Sequence, residues 1–396
     1  MTNESTSTVT PQNNAKFILS LFVLLALLVT VFGLFVVERS KNFDEKNRQN
    51  NVANLSSENE NDSDFSAQQQ YEWTMVTSWP KNLPGLGSAA ANVARFITEA
   101  SGGRIKVKVY GADEIVPALG VFDAVSSGSV QMGHTSAYYW KGKIPAAQFF
   151  TSVPFGLNAQ EMNGWLFYGG GLELWRDIYA PYNLVPFAGG NTGVQMAGWF
   201  NKAIHSVEDL KGLKMRIPGM GGEVFNRAGG TAVTIAGGEL YTAMQTGTID
   251  ATEWVGPYND VAFGLHQVAK YYYYPGWHEP GPTLELIVNK EAYDALPNDL
   301  QHIIELATRS VNQDMLDEYT TRNNNALQQI KNDNNIEIRK LPDDVLEKLE
   351  QVANEIYEEN AAKDPLFKKV YNAYRAYQKQ VNEYHQISEQ AYYELR

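Results

Sequence analysis

Hydrophobic and polar positions divide the chain into stretches of different character. After a short polar tail at 1–16, positions 17–37 run for 21 residues without a charge, enough to cross a hydrocarbon core of about 30 Å. The run predicts a membrane anchor. A cleaved secretory signal has a shorter apolar core and a small-x-small site, which Leu34-Phe-Val-Val-Glu38 lacks. Lys16 precedes the run and Arg39, Lys41, Lys46 and Arg48 follow it, a bias that alone would hold the far side in the cytoplasm. Long domains translocate largely regardless of flanking charge, so the residues beyond the run are expected on the extracytoplasmic face. Positions 38–70 are rich in Asn, Ser, Gln and acids and too poor in apolar residues to offset the entropy of ordering. They predict a flexible tether.

From position 71 the pattern becomes that of a folded α/β protein. Glu72–Trp79 and Arg104–Tyr110 alternate as strands, with a helical stretch at Ser88–Ala100 between them. Strand, helix, strand in so short a span predicts a parallel sheet with right-handed crossovers. Similar short strands are expected near Val194–Phe200, Leu213–Ile217 and Ala232–Ile235, which gives a second lobe of the same kind. The four tyrosines Tyr271–Tyr274 alternate faces, so most belong to core or hinge packing. Leu284–Val288 predicts a strand that returns between the lobes. From Asn298 apolar residues recur at helical spacing, and a second helix starts after Leu341-Pro-Asp-Asp344. Tyr371, Tyr374 and Tyr377 step along one side of the last helix, a stripe for its own core or for a second subunit. The domain reading is two interleaved lobes over 71–330 and a helical region over 331–396.

One phrase occurs twice, as Phe122-Asp-Ala-Val-Ser-Ser-Gly128 leading to Met132-Gly-His134, and as Tyr241-Thr-Ala-Met-Gln-Thr-Gly247 leading to Ala251-Thr-Glu253. Both copies read as a helix ended by glycine, a tight turn and a strand. Ligands of α/β lobes sit beyond the carboxyl ends of the strands, so the repeat places His134–Ser136 and Glu253–Val255 on facing walls of one cleft. The formal charge of -13 argues against nucleic acid as a partner. There is no cysteine, and no serine-hydrolase elbow, phosphate loop, dinucleotide fingerprint or His-Glu-x-x-His motif, which leaves little to sustain an enzyme.

Several motifs resemble the substrate-binding proteins of tripartite ATP-independent periplasmic (TRAP) transporters. They are Thr77-Ser-Trp-Pro80, Ser127-Gly-Ser-Val-Gln-Met-Gly133, Asp209-Leu-Lys-Gly-Leu-Lys-Met-Arg-Ile-Pro-Gly219, Thr246-Gly-Thr-Ile-Asp-Ala-Thr-Glu-Trp254 and Tyr274-Pro-Gly-Trp277. The resemblance covers most of the chain from Trp73 to about Ile330. It implies an α/β two-lobed clamshell with long C-terminal helices, working with a membrane permease. Glu253-Trp254 beside the tyrosine strand resembles the branch that binds 2-oxo or 2-hydroxy monocarboxylates, which also implies a homodimer through the C-terminal helices.

For the site, Arg216 follows a short strand, where its planar fork can meet a carboxylate, and the family implies that it is the carboxylate clamp. Glu253 in the same cleft would repel an anionic ligand unless a cation lies between them. Oxygen ligands suit sodium or calcium. The resemblance implies that the side chains of Gln195 and Glu253 and the carbonyl of Trp254 hold the cation. Glu279, a further acid at the cleft, adds negative charge and favours a divalent ion; its alternative is a solvated loop acid. Tyr138, Tyr139, Trp79 and Trp277 are expected to wall the pocket, with Tyr139 offering a hydroxyl to the ligand. His134 has no evident partner for a defined role. A membrane-tethered sensor working with a separate receptor is the alternative function, and a lyase or hydrolase in the cleft the remaining one.

Overall fold

The alternation at Glu72–Trp79 and Arg104–Tyr110 forms two strands: β1 is Tyr71–Thr77 and β2 Ile105–Tyr110, paired in parallel across the helix Leu86–Ala100. The computed structural model describes residues 69–396. The anchor read at 17–37, the tail before it and nearly all of the tether lie outside the described residues, among which no helix is long and apolar enough to cross a membrane.

The first sheet has the order β2-β1-β3-β10-β4, with β3 Met132–Thr135, β4 Leu184–Asn191 and β10 Thr283–Asn289. β10 runs antiparallel to both of its neighbours and is buried along its whole length, as a central strand covered on both faces must be. The second sheet has the order β11-β9-β5-β8-β6-β7. Its members are β5 Gly198–Phe200, β6 Lys214–Arg216, β7 Thr231–Val233, β8 Ala251–Thr252, β9 Tyr271–Tyr274 and β11 Glu337–Lys340. The repeated phrase is structurally equivalent in the two sheets. Helix Val121–Ser126 leads through Gly128 (φ 75°) to β3, and helix Leu240–Gln245 leads through Gly247 (φ 71°) to β8.

The chain crosses between sheets after β4, again between β9 and β10, and a third time from β10 to β11 through helix Asn298–Lys331. The first crossing shortens the strand expected at Val194–Phe200 to its last three residues. Val194 is exposed, and the amides of Gln195 and Met196 bond to the carbonyls of Glu279 (3.2 Å) and Val255 (3.0 Å), outside any ladder. In the tyrosine strand, Tyr272 stacks on Trp199 with ring centroids 4.0 Å apart and Tyr273 meets Phe200 edge-on, so both serve the core.

Helix Asn298–Lys331 lies along β4 and reaches helix Pro257–Ala262 of the second lobe, burying Leu300, Ile304, Val311, Met315 and Tyr319. Within the region read as purely helical, β11 adds a strand to the second sheet beside β9. Helix Asp343–Lys363 then packs on helix Gly219–Arg227, and Pro365–Ile387 on the first lobe. Asp364 caps the last of these, accepting from the amides of Leu366 and Phe367 ahead of the Pro365 first turn. The tyrosine stripe faces inward: Tyr371 stacks on Tyr357, and the Tyr374 ring meets Trp165 while its hydroxyl accepts from the Leu157 amide at 2.6 Å. The stripe is therefore core, and the exposed aromatics Tyr384, Tyr392 and Tyr393 lie beyond it.

Apart from the acids Glu253 and Glu279, each lobe buries one carboxyl group that is in no ion pair among the described residues, Glu285 in the first and Asp260 in the second. Burial pushes both up to about 7, the hydrogen bonds they accept opposing it.

Two outcomes follow for stability. Tyr374→Phe keeps the ring and strands the buried Leu157 amide, which lowers unfolding free energy by about 1–3 kcal/mol in chemical denaturation; an unchanged value would detach this bond from the docking of the last helix. Glu285 holds its proton up to about pH 7 when folded but only to the usual 4.5 when unfolded, so its contribution is full at acid pH and is lost as pH rises through 7. Wild type should therefore gain stability relative to Glu285→Gln between pH 8 and pH 5.5, and a difference that falls on acidification contradicts the assignment.

Candidate functional site

β6 and β8 are adjacent parallel strands, with Arg216 opposite Thr252, so the carboxyl ends of both strands deliver Arg216 and Glu253 to the same point. Both side chains are buried, at 1% and 0% exposure. Arg216 Nη1 is ion-paired with Glu253 Oε1 and also donates to the Glu253 carbonyl at 3.3 Å, while Nε donates to the Ile235 carbonyl at 3.2 Å. The guanidinium lies 5.1 Å from the Trp254 ring. Burial works against its charge, but Glu253, the two tyrosines and Glu279 outweigh it and hold its pKa above the ordinary value. Arg216 Nη2 has no hydrogen-bond partner.

The second crossing supplies the rest. Residues 275–282 pass between the sheets carrying His278 and Glu279, both buried, into the ends of β6 and β8. Gly276 makes the passage possible, because a Cβ there would stand 2.2 Å from the Gln195 carbonyl oxygen on the first crossing. The two crossings are also tied by side chains, with Gln195 Nε2 donating to Glu279 Oε2 at 2.8 Å. His278 Nε2 lies 3.4 Å from Glu253 Oε2. Ligand atoms of Glu253, His278 and Glu279 all fall within 4.8 Å of one another. Burial, then the charge of Glu253, holds the Glu279 carboxyl well above the usual carboxylate range, with Arg216 acting against them. Glu279 is thus a buried member of the cluster and no solvated loop acid.

The first lobe closes the site with the 3-10 turn Ala137–Trp140. Burial followed by the nearby Glu279 raises the Tyr138 hydroxyl well above its usual value, and burial also raises Tyr139 against the pull of Arg216, so both remain proton donors at neutral pH. Gly219 opens helix Gly219–Arg227 at φ 62°, and a Cβ there would meet Tyr138 at 3.3 Å. Lys141 Nζ reaches across to the Gly219 carbonyl at 2.5 Å. The lobes touch, so the cleft is closed.

Gln195, Arg216, Glu253, Trp254, Glu279, Tyr138 and Tyr139 converge as the sequence suggests. His134 does not. It is fully buried within β3, with Nε2 2.9 Å from the Gly189 carbonyl and its ring edge-on to Trp79, and burial lowers its pKa to about 4. The repeat positions the strand end correctly, but His134 shares the sheet's inner face while the next turn carries the cleft residues. His278 is the residue that sequence reasoning passed over; its only signal is its place between Trp277 and Glu279 in a Pro/Gly-rich crossing.

Chemically, the described site offers one unpartnered guanidinium N–H face and one unpartnered acceptor, Gln195 Oε1, beside two buried acids and a histidine whose Nδ1 is also free. A buried acceptor without a donor, next to carboxylates, fits a hard cation.

Comparison with known proteins gives the family. Residues 75–364 match the family model described as bacterial extracellular solute-binding protein, family 7. A Nostoc sp. protein named as a monocarboxylate 2-oxoacid-binding periplasmic protein is 47% identical over 320 residues, covering 81% of this chain and 87% of that one. A TRAP periplasmic solute-binding protein of Colwellia psychrerythraea, solved with calcium and pyruvate, is 44% identical with a TM-score of 0.81, over 83% of this chain and 100% of its own. Its counterpart from Pseudoalteromonas atlantica, solved with sodium and pyruvate, is 44% identical with a TM-score of 0.80, over 82% and 99%. With the family model matched over residues 75–364 and a relative 47% identical over 81% of the chain, the chain belongs to the bacterial extracellular solute-binding proteins of family 7.

Proposed function

We propose that this chain is the extracytoplasmic solute-binding subunit of a TRAP transporter, that it captures a small 2-oxo monocarboxylate such as pyruvate together with a calcium ion, and that it presents both to a membrane permease. The observation that carries this reading is the pair of unsatisfied buried groups: Arg216 Nη2, a donor fork for a carboxylate, and Gln195 Oε1, an acceptor for a cation. Relatives that bind pyruvate with calcium or sodium support it.

Arg216 does two things at once. One nitrogen stays on Glu253 and orients the fork; the other is left for the ligand carboxylate. Glu253, Glu279 and Gln195 would hold the cation, with the Trp254 carbonyl, and the ion would offset the acids' repulsion of the ligand. A cation that displaces the proton that burial keeps on Glu279 leaves one arginine against two acids and a ligand carboxylate, two negative charges that a divalent ion neutralises and sodium does not, so calcium is favoured over sodium. Tyr138 and Tyr139 donate from the opposite lobe, so ligand contacts exist in full only when the lobes meet, and ligand shifts the open-closed equilibrium by that difference. No group in the cleft is arranged for turnover, and we read the protein as a binder, not an enzyme. The uncharged run at 17–37 would anchor it at the membrane, raising its effective concentration near the permease. A second copy would pair through the C-terminal helices, by their exposed outer part.

Calorimetry with calcium present tests the clamp. Arg216→Lys keeps the charge facing Glu253 and loses the fork, so pyruvate affinity should fall by about 10- to 100-fold, the worth of one charge-assisted bond of roughly 1.5–3 kcal/mol. Undiminished binding removes Arg216 from the ligand. Stripping calcium with a chelator in sodium buffer should raise the pyruvate Kd by at least about tenfold, restored by added calcium; full affinity in sodium alone reverses the choice of ion.

A further inference from the structure

Asp260 and Glu285, the two buried carboxyl groups outside the Arg216 cluster that are in no ion pair among the described residues, lie one behind each wall of the cleft and share a donor set. In the second lobe, Asp260 Oδ2 accepts from Trp199 Nε1 at 3.0 Å and from the Tyr272 hydroxyl at 2.7 Å, and Oδ1 accepts from the Val255 amide at 3.3 Å. In the first lobe, Glu285 Oε1 accepts from Trp140 Nε1 at 2.6 Å and Oε2 from the Tyr179 hydroxyl at 2.8 Å. Neither is in an ion pair among the described residues, although both are 1% exposed or less. A carboxyl group buried without a counter-charge is costly, and a well-packed apolar residue would serve a core better.

What each donor is attached to explains the placement. Val255 follows Glu253 and Trp254, and its amide is pulled toward the first turn of helix Pro257–Ala262, where Asp260 sits. Trp199 and Tyr272 are stacked on each other in neighbouring strands, so Asp260 is held from a rigid pair. Trp140 is the last residue of the turn that carries Tyr138 and Tyr139, and Glu285 ties it to the central strand β10 and to helix Gly171–Tyr179. The local structures differ, a helix start in one lobe and a mid-strand position in the other. The common element is a Trp N–H and a Tyr O–H gripping an acid just behind cleft residues.

We propose that Asp260 and Glu285 are positioning residues, one for each wall: Asp260 fixes the Glu253–Val255 segment that meets the cation, and Glu285 fixes the Tyr138–Tyr139 turn that meets the organic acid. The assignment rests on the pyruvate and calcium reading above. The second-lobe wall then carries the cation residues beside the Arg216 clamp, and the first-lobe wall carries the tyrosine donors to the organic acid.

The test uses the full-length chain in detergent at pH 8, titrating calcium at saturating pyruvate and pyruvate at saturating calcium. Asp260→Asn should raise the calcium midpoint about tenfold and move the pyruvate Kd at saturating calcium far less; Glu285→Gln should do the reverse, the size expected for a misplaced hydrogen-bonding group. Val352→Ala, in the core of helix Asp343–Lys363 away from the cleft, should lower the melting temperature and move neither titration. Tyr272→Phe and Tyr179→Phe, which each remove a single donor and keep the ring, repeat the split at about threefold if either acid variant fails to fold. Wild-type affinities in the carboxyl variants, the same loss for both partners in both, or an equal loss in Val352→Ala overturns the assignment while wild-type binding leaves the functional reading intact. A wild type that binds no pyruvate overturns that reading and this one with it.

Discussion

The contact on which the rest of the structure depends is the buried pair of Arg216 and Glu253. Two charges at essentially zero exposure are tolerable only where geometry is good and remaining polar atoms are met, since desolvation can exceed the attraction between them. Here the strands do that work. β6 and β8 lie side by side in parallel, so both charges emerge from neighbouring strand ends, and the carbonyls of Ile235 and Glu253 take two further arginine N–H groups. What remains unmet is one arginine nitrogen. An unmet buried donor is rare in a stable core, and it is the feature on which the proposed carboxylate site rests.

The second constraint is topological. Because the chain passes twice between sheets beside this pair, the site is built from crossings as well as strand ends: Gln195 comes on one, His278 and Glu279 on the other, and Gly276 lets the two run in contact. A group on a crossing moves when the lobes rotate. Glu279 thus sits on a crossing and Glu253 at the strand end beside it, and the tyrosines that face them sit on the opposite lobe, where Lys141 donates to the Gly219 carbonyl across the closed cleft.

Much of this was legible along the chain. The repeated helix-glycine-strand phrase predicted two equivalent lobes, and β3 and β8 fall where it put them, because left-handed turns and alternating apolar strands are local properties. Convergence of Arg216, Glu253, Gln195 and Glu279 was legible through their strand-end and Pro/Gly settings together with the family motifs. The tyrosine strand and the stripe at Tyr371 and Tyr374 were legible as apolar surfaces, and the fold decided that the stripe faces its own first lobe.

Sequence alone therefore determined the class of fold, the two lobes, the strand ends that carry charge and the kind of ligand that such charge invites. Only tertiary structure decided which neighbours those charges have. That Arg216 bonds directly to Glu253, that His278 joins the acids while His134 turns back to Gly189, and that Asp260 and Glu285 stand behind the walls all depend on contacts between residues far apart in the chain. Periodicity reports which face of an element is buried, but it carries no information about the polar atom that waits on the other side.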